Sequence, residues 1–380
     1  MNKLLALTAV ITLTGCSAVD RQTSTESVSD TQAADVNEWY SQGQSAVAQR
    51  VNTKVNTNKA KNVILFIADG MGVSTITAAR IYDGQSRGES GEENSLSFEL
   101  FPNIALVKTY NTDAQVPDSA GTASAMNTGV KTGIGVISQA ADQHNECYGP
   151  TKVFPKTIAE IAEAKGLATG VVSTASITHA TPAAVYAHSP SRNWEADSGI
   201  PADKRALGCQ DIAQQLVQFS AGDGLDVVLG GGKRYFYSND DGGKRQDGRN
   251  LATEWQQKYN SGALVTNADE LSLAVKNKDK IFGLFSSKHM AFEADRSATQ
   301  EPSLTEMTSS AIEVLSRNQK GYFLMVESGR VDHAHHATNA YRALTDAQEF
   351  SRAVQAAVDA VDLNETLILV TADHSHVFTI

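Results

Sequence analysis

The chain has 380 residues, of which 41% are hydrophobic and 20% charged, a balance ordinary for a globular protein. This length allows one large α/β domain or two smaller ones. The net charge of −11 argues against non-specific binding of nucleic acid, which depends on Lys and Arg neutralising phosphates, so we expect no nucleic-acid partner. An acidic chain can still bind phosphate where metal ions supply positive charge.

The first sixteen residues have the pattern of an export signal. Lys3 precedes an apolar run over residues 4–13, which is too short to span a bilayer. The run ends in residues 13–16 (LTGC), which resemble a bacterial lipoprotein cleavage box. We therefore predict a lipoprotein-type signal peptide over residues 1–16, with lipidation at Cys16; an ordinary signal peptide with a chance cysteine is the alternative. The protein would be exported to the periplasm or cell envelope, and only this lipid would attach it to a membrane.

Residues 17–36 are rich in Ser, Thr, Gln, Asp and Ala and predict a flexible tether. Residues 37–55 could form a helix, and we place the folded domain over residues 37–380. Short apolar runs predict buried strands at residues 63–68, 169–173, 225–229, 322–326 and 366–371. Helical stretches lie between them, at residues 157–165, 212–219, 303–316 and 340–361.

Alternating helices and near-continuous apolar strands indicate an α/β fold. We predict a three-layer sandwich with a central, mostly parallel sheet flanked by helices. One stretch does not fit this alternation. Residues 232–256 are dense in Gly, Asp, Asn, Lys and Arg, which predicts a surface excursion.

Carboxylates and imidazoles follow three of the predicted strands. Ligands of parallel α/β sheets bind at the carboxyl ends of the strands, so these side chains should meet at one edge. They suit zinc, with oxygen-only positions suiting magnesium. A solvated histidine cluster is the alternative, although five of the nine histidines lie in two short segments. The residues that follow the strands are Asp69, Glu327, Asp332, His333, His335, His336, Asp373, His374 and His376.

Residues 116–125 (VPDSAGTASA) predict a turn into a tightly packed helix, with Ser119 at its N-terminus. Backbone N–H groups and the helix dipole favour an anion there. A serine in this place is either a helix cap or a nucleophile, and the residues alone leave both open.

Two further features concern phosphate binding and the cysteines. Arg192 follows the segment His179-Ala-Thr181-Pro and could bind two phosphate oxygens, although a surface ion pair would also explain it.

Apart from Cys16, the chain has Cys147 and Cys209, both in polar, loop-like sequence. Because an exported protein meets an oxidising compartment, we predict a disulfide between them; two free thiols are the alternative.

Together these motifs resemble the alkaline phosphatase family, from about Asn37 to the end of the chain. The resemblance is closer to the animal-type enzymes than to the enteric bacterial form. The matching segments are residues 69–72 (DGMG), 116–119 (VPDS), 180–182 (ATP), 209–212 (CQDI), 329–333 (GRVDH) and 371–377 (TADHSHV). Their number and order make the match specific, and it favours Ser119 as the nucleophile.

The resemblance also implies a role for each site residue. One zinc would be held by Asp69, Asp373 and His374, the other by Asp332, His336 and a third histidine, and magnesium by Asp69, Thr181 and Glu327. Arg192 would bind the phosphate. Supporting roles beside these groups fall to Asp118, His179, His333 and His376. The family pairs cysteines at positions matching Cys147 and Cys209, which supports the disulfide.

The implied activity is hydrolysis of phosphate monoesters through a phosphoserine, by a homodimer that could use the helix over residues 37–55. In the family the third histidine of the second zinc site lies beyond residues 371–377, so either this sequence is a fragment, or the protein is naturally short and its second zinc is weakly held or absent. The apolar run at residues 377–380 favours a fragment. Rival interpretations are a phosphodiesterase or sulfatase of the same superfamily, and a metal-binding lipoprotein without catalysis.

Overall fold

The computed structural model describes residues 37–54, 56–141 and 154–379. The predicted signal peptide, the tether, Cys16 and Cys147 lie outside these residues. The chain divides into two compact units, Met1–Val55 and Asn56–Ile380. In the first unit the described part is a helix, α1 (Glu38–Asn52), whose residues are all exposed. The Asn37 side chain caps it by accepting a hydrogen bond from the Trp39 N–H at 3.1 Å.

The second unit is built on a sheet of seven strands in the order β4-β5-β3-β2-β6-β1-β7. Every pairing between neighbours is parallel. The strands are β1 (Asn62–Ala68), β2 (Ala168–Ser176), β3 (Val227–Gly231), β4 (Ala263–Val265), β5 (Ile281–Leu284), β6 (Tyr322–Ser328) and β7 (Thr366–Ala372). Because the strands all run the same way, their carboxyl ends share one edge of the sheet.

Helices cover both faces of this sheet, which confirms the predicted three-layer fold. The helices are α2 (Val73–Ser86), α3 (Ser119–Thr128), α4 (Ile158–Ala164), α5 (Ala180–Tyr186), α6 (Ala202–Ala206), α7 (Ile212–Gln218), α8 (Leu251–Lys258), α9 (Ala268–Val275), α10 (Leu304–Leu315), α11 (Arg330–His336) and α12 (Ala340–Ala360). One core cluster packs α2, α10 and α12 against one face, and a second packs α3, α5 and α8 against the other. No helix among the described residues has the length and apolarity needed to cross a bilayer.

The predicted surface excursion over residues 232–256 is present at residues 239–242 and 246–248, which are all exposed, but other residues of the stretch are buried. Arg245 is fully buried and pairs with Asp211 at 3.0 Å and with Asp247 at 2.5 Å. Trp255 is also buried, in the second core cluster. The ion pairs satisfy the buried charge of Arg245 inside the protein, whereas most of the other polar residues of this stretch are in solvent.

Candidate active site

The four strands that are adjacent in the sheet as β2-β6-β1-β7 deliver polar groups to its carboxyl edge. Asp69 directly follows β1, Glu327 lies near the end of β6, and Asp373 directly follows β7. All three side chains are buried. The strand register therefore gathers carboxylates from distant parts of the sequence into one place, as the strand-end pattern predicts.

Ser119 is the first residue of α3, and Asp118 rather than Ser119 is its N-cap. The Asp118 carboxylate accepts a hydrogen bond from the Gly121 N–H at 3.1 Å, so the hydroxyl of Ser119 is not needed for capping. Instead, that hydroxyl donates to the two carboxylate oxygens of Asp69 at 3.1 and 3.2 Å. It also lies 3.4 Å from His374 Nε2.

Asp69, Asp373 and His374 form a first group that could hold a metal ion. His374 Nε2 lies 3.2 Å from Asp373 Oδ2 and 3.5 Å from Asp69 Oδ1. The other Asp373 oxygen accepts from the backbone N–H groups of Gly70 and His374 at 3.0 and 2.8 Å. These bonds fix the carboxylate, and the Ser119 hydroxyl lies directly beside the group.

A second group comprises Asp332, His336 and His376. His336 Nε2 lies 3.4 Å from Asp332 Oδ2, and His376 Nε2 lies 3.6 Å from Asp332 Oδ1. His376, for which the resemblance implies only a supporting role, is thus placed where it could itself be a donor. His335 is not one of these three donors: its ring stacks on that of His376 with 5.2 Å between centroids, and its Nε2 lies 3.0 Å from the Thr75 hydroxyl.

A third group comprises Asp69, His179 and Glu327. Three polar atoms here are buried and have no hydrogen-bond partner among the described residues: Glu327 Oε1, His179 Nδ1 and the Thr181 hydroxyl oxygen. The other Glu327 oxygen accepts from the Ser173 hydroxyl. Buried polar atoms without partners are costly, so this site fits a cation with bound water.

The electrostatics of the edge also fit cations. Burial raises the pKa of Asp69 well above its ordinary value, and the charges of Asp373, Asp332 and Glu327 raise it further. Burial likewise raises the pKa of Glu327 to about 7, against the hydrogen bond from Ser173. Four neighbouring carboxylates with little compensating charge would repel one another, and divalent ions would reverse that balance.

Arg192 lies between α3 and the third group. Its Nη1 donates to Asp118 Oδ2 at 3.0 Å, and its Nη2 lies 3.1 Å from His179 Nε2. Because a guanidinium only donates, His179 Nε2 must accept this hydrogen bond. Burial and the positive charge of Arg192 hold the pKa of His179 well below its ordinary value.

His289 is a site residue that the sequence did not indicate. Its ring centroid lies 4.3 Å from that of His333 and 5.3 Å from that of His179. Its Nδ1 accepts a hydrogen bond from the Ser176 N–H at 3.0 Å. Burial lowers the pKa of His289 to about 2 and that of His333 to about 3, so the histidines are neutral. His289 lies shortly after β5, at the same edge of the sheet as the other site residues. The sequence analysis could have included it on that ground, but it did not predict β5.

Comparisons with known proteins agree with this arrangement. The sequence model of the family described as "Alkaline phosphatase" matches residues 60–380. The human tissue-nonspecific alkaline phosphatase is 42% identical over 358 residues, which cover 90% of this chain and 68% of that protein. The membrane-bound alkaline phosphatase of Bombyx mori is 42% identical over 360 residues, covering 90% of this chain and 66% of that protein. The chain thus spans about two thirds of the length of these relatives.

Solved structures show the same likeness. The alkaline phosphatase of Thermus thermophilus superposes with a TM-score of 0.70 at 29% identity, covering 86% of this chain and 62% of that one. A histidine-to-aspartate mutant of the TAB5 alkaline phosphatase, solved with magnesium in its M3 site, gives 0.66 at 28% identity, covering 84% and 79%. The family match, the identity to animal enzymes and the shared fold lead to one conclusion. This chain belongs to the alkaline phosphatase family.

Proposed function

We propose that the chain hydrolyses phosphate monoesters and that Ser119 is the nucleophile, becoming a phosphoserine. The observation that carries this proposal is the placement of the Ser119 hydroxyl. It lies at the N-terminus of α3, is not used as a cap, and donates to Asp69 inside a group of metal-type donors. A serine in this setting can attack an anion bound at the helix terminus.

Two zinc ions and one magnesium ion fit the three donor groups. Asp69, Asp373 and His374 would hold the first zinc. Asp332 and His336, with His376 within reach, would hold the second. Asp69, Glu327 and Thr181 would hold magnesium beside His179, whose Nδ1 is buried and without a partner among the described residues. When bound, these ions supply the positive charge that lowers the pKa of a hydroxyl and neutralises phosphoryl oxygens.

The protein's own side chains account for positioning. Asp69 accepts the Ser119 hydrogen bond and directs the hydroxyl oxygen toward the first group. Arg192 presents its guanidinium beside the N-terminus of α3, where it could bind two phosphate oxygens. Asp118 fixes Arg192 and caps α3 at the same time. A single carboxylate therefore fixes the positions of Ser119 and Arg192 relative to each other.

The test is hydrolysis of p-nitrophenyl phosphate by the zinc- and magnesium-loaded protein, with Ser119→Ala as the variant. We expect activity in the wild type, loss of about a thousandfold or more in the variant, and a phosphorylated Ser119 peptide by mass spectrometry after acid quench. A phosphodiester and a sulfate ester assayed alongside should react far more slowly. Faster cleavage of either would favour the rival members of the superfamily, and full activity in Ser119→Ala would exclude Ser119 as the nucleophile.

We also propose that the protein is exported, is lipid-anchored at Cys16 in the cell envelope, and works as a homodimer. Mass spectrometry of the mature N-terminus tests the anchor, and light scattering tests the dimer. The proposed disulfide joins Cys147 to Cys209, which is buried beside Trp194 and Ile200. Thiol titration of the native protein tests it: two free sulfhydryls would exclude the bond.

A further inference from the structure

Beside the proposed phosphate site, three cationic side chains converge on the histidine cluster His179–His289–His333. Lys288 directly precedes His289, and the backbone N–H of Arg234 donates to the Ser287 carbonyl at 3.1 Å, which places the Arg234 backbone beside the loop that carries Lys288. Arg330 Nη1 donates to His333 Nδ1 at 3.0 Å. The cations thus come from three separate chain segments.

These cations are poorly neutralised. None of the three forms an ion pair with a carboxylate among the described residues, whose ion pairs elsewhere are numerous. Arg234 Nε and Arg330 Nε are buried without hydrogen-bond partners in the same part of the chain. Lys288 is exposed and makes no side-chain hydrogen bond with a described residue. Cations without carboxylate partners around one histidine cluster favour the binding of an anion that is not part of the protein.

Nearby carboxylates offset the positive charges of Arg234 and Arg330 more than they offset that of Lys288. Glu195 accepts from Thr178 at 2.7 Å and lies near Arg234 beyond Tyr235. Asp346, Glu301 and Asp295 act on Arg330, which also lies over the Phe292 ring at 3.7 Å. Lys288 therefore contributes the least compensated charge.

The cations connect to the reacting groups through the histidines. Arg192, the proposed phosphate ligand, touches His179, whose ring lies 5.3 Å from that of His289. A ring nitrogen of His179 also belongs to the third group of possible metal ligands, together with Asp69. Asp69 in turn accepts a hydrogen bond from the Ser119 hydroxyl. Three side chains in sequence therefore link these cations to the proposed nucleophile: His289 or His333, then His179, then Asp69.

We propose that Lys288, Arg234 and Arg330 form a subsite for a second anionic group on the substrate, so that the enzyme prefers phosphate monoesters whose leaving group carries a carboxylate or another phosphate. This inference rests on the proposed function. The reaction is unchanged: the phosphoryl group passes from the ester oxygen to Ser119 and then to water, giving phosphate and the acidic alcohol. The subsite binds the acidic group of the ester.

The test compares glycerol 3-phosphate with 3-phosphoglycerate, which differ only in a CH₂OH or a carboxylate at one carbon. The readout is the ratio of kcat/KM for the acidic ester to that for the neutral one, measured on the metal-loaded protein. We expect Lys288→Ala to lower the ratio about fivefold and Lys288→Glu to lower it further, because a nearby unit charge is lost and then reversed. Raising the salt concentration should shrink the wild-type preference. Lys276→Ala is the control, an exposed lysine at the end of α9 before β5, on the opposite edge of the sheet.

A ratio that stays the same in wild type, Lys288→Ala and Lys288→Glu would overturn the subsite while leaving the proposed function intact. The opposite case, in which the proposed function fails but the subsite exists, is tested by measuring the binding of the two esters to Ser119→Ala by calorimetry. If the wild type hydrolyses neither ester but 3-phosphoglycerate binds more tightly in a Lys288-dependent way, the proposed function fails and the subsite stands. Equal binding of the two esters would count against the subsite.

Discussion

Arg192 and Asp118 form an ion pair, with Nη1 of the arginine 3.0 Å from Oδ2 of the aspartate. The same Asp118 oxygen accepts the Gly135 N–H at 3.0 Å, and the other oxygen caps α3. Asp118 therefore determines both the orientation of Arg192 and the start of the helix that carries Ser119. A change at Asp118 should affect phosphate binding even though this side chain need not touch the substrate.

Asp118→Asn should raise KM for p-nitrophenyl phosphate about tenfold and lower kcat less, because the amide pairs poorly with the guanidinium and leaves Arg192 mobile. Asparagine caps helices as well as aspartate does, so α3 should keep its cap, but the NH2 that replaces the other oxygen cannot accept from the Gly135 N–H and the Tm should fall by a few degrees. Steady-state kinetics and calorimetry measure the two effects. An unchanged KM would show that Arg192 is held by other groups.

Removal of metal ions should destabilise the folded state, because the buried carboxylates Asp69, Glu327, Asp332 and Asp373 then lack compensating charge. We expect dialysis against a chelator to lower the Tm by several degrees and the re-addition of zinc and magnesium to restore it. Asp332→Asn should lose part of this metal-dependent shift. If the Tm did not respond to chelation, the three donor groups would not be metal sites.

Thr181→Val should have opposite effects with and without magnesium. The valine removes a buried hydroxyl that has no partner among the described residues, which should stabilise the metal-free protein by about 1 kcal/mol. With magnesium present, the lost oxygen should weaken the ion's affinity about tenfold. Denaturant unfolding measures both. Stabilisation under both conditions would show that Thr181 is not a ligand.

Arg245→Met should destabilise the protein by about 3–5 kcal/mol, because it leaves the buried Asp211 without its partner. Arg249→Met is the matched control: Arg249 pairs with Glu254 in a half-exposed site, so its loss should cost less than about 1 kcal/mol. Urea unfolding of both variants provides the comparison. Similar losses would contradict the distinction between buried and exposed pairs.

Glu163 should make stability depend on pH. Burial raises the pKa of this carboxyl to about 7, against the hydrogen bond from Thr169 and with Asp226, Asp223 and Lys280 nearby. The raised pKa favours the protonated form in the folded state, so this contribution is full below the unfolded pKa and is lost as pH rises through 7.

The stability of wild type relative to Glu163→Gln should therefore fall between pH 5 and pH 8, by at most about 3 kcal/mol. Glutamine keeps the oxygen that accepts from Thr169 but does not ionise, which makes it the appropriate reference. Urea unfolding at several pH values measures the difference. A difference that stays constant with pH would mean that Glu163 titrates normally.

The sequence was sufficient to predict the parallel α/β fold, because β1, β6 and β7 are largely apolar runs with a carboxylate at or just after their carboxyl ends. It was insufficient for β4 and β5, which have three and four residues and no distinctive period. Such short strands owe their conformation to neighbours in the sheet, which a single sequence does not display.

The same limit applies to the site. Asp69 and Asp373 could be inferred because each directly follows a strand, where the edge of the sheet gathers ligands. His289 could not, because its relation to His179 and His333 depends on the loop after β5. Likewise, the choice between cap and nucleophile for Ser119 required knowing that Asp118 is the cap. Local patterns predict which groups are available, whereas their pairing depends on tertiary structure.

The parallel order β2-β6-β1-β7 has a consequence for folding kinetics. Asn62 in β1 is in register with Thr366 in β7, which is 304 positions later. Donors from β1 and β7 meet only after this long-range pairing, and closing such large loops is slow. At the two donor groups that contain Asp69, metal ions therefore cannot nucleate the fold, because their ligands come together only after such distant strands have paired. They would act at the last step, by slowing the unfolding of chains that have already assembled.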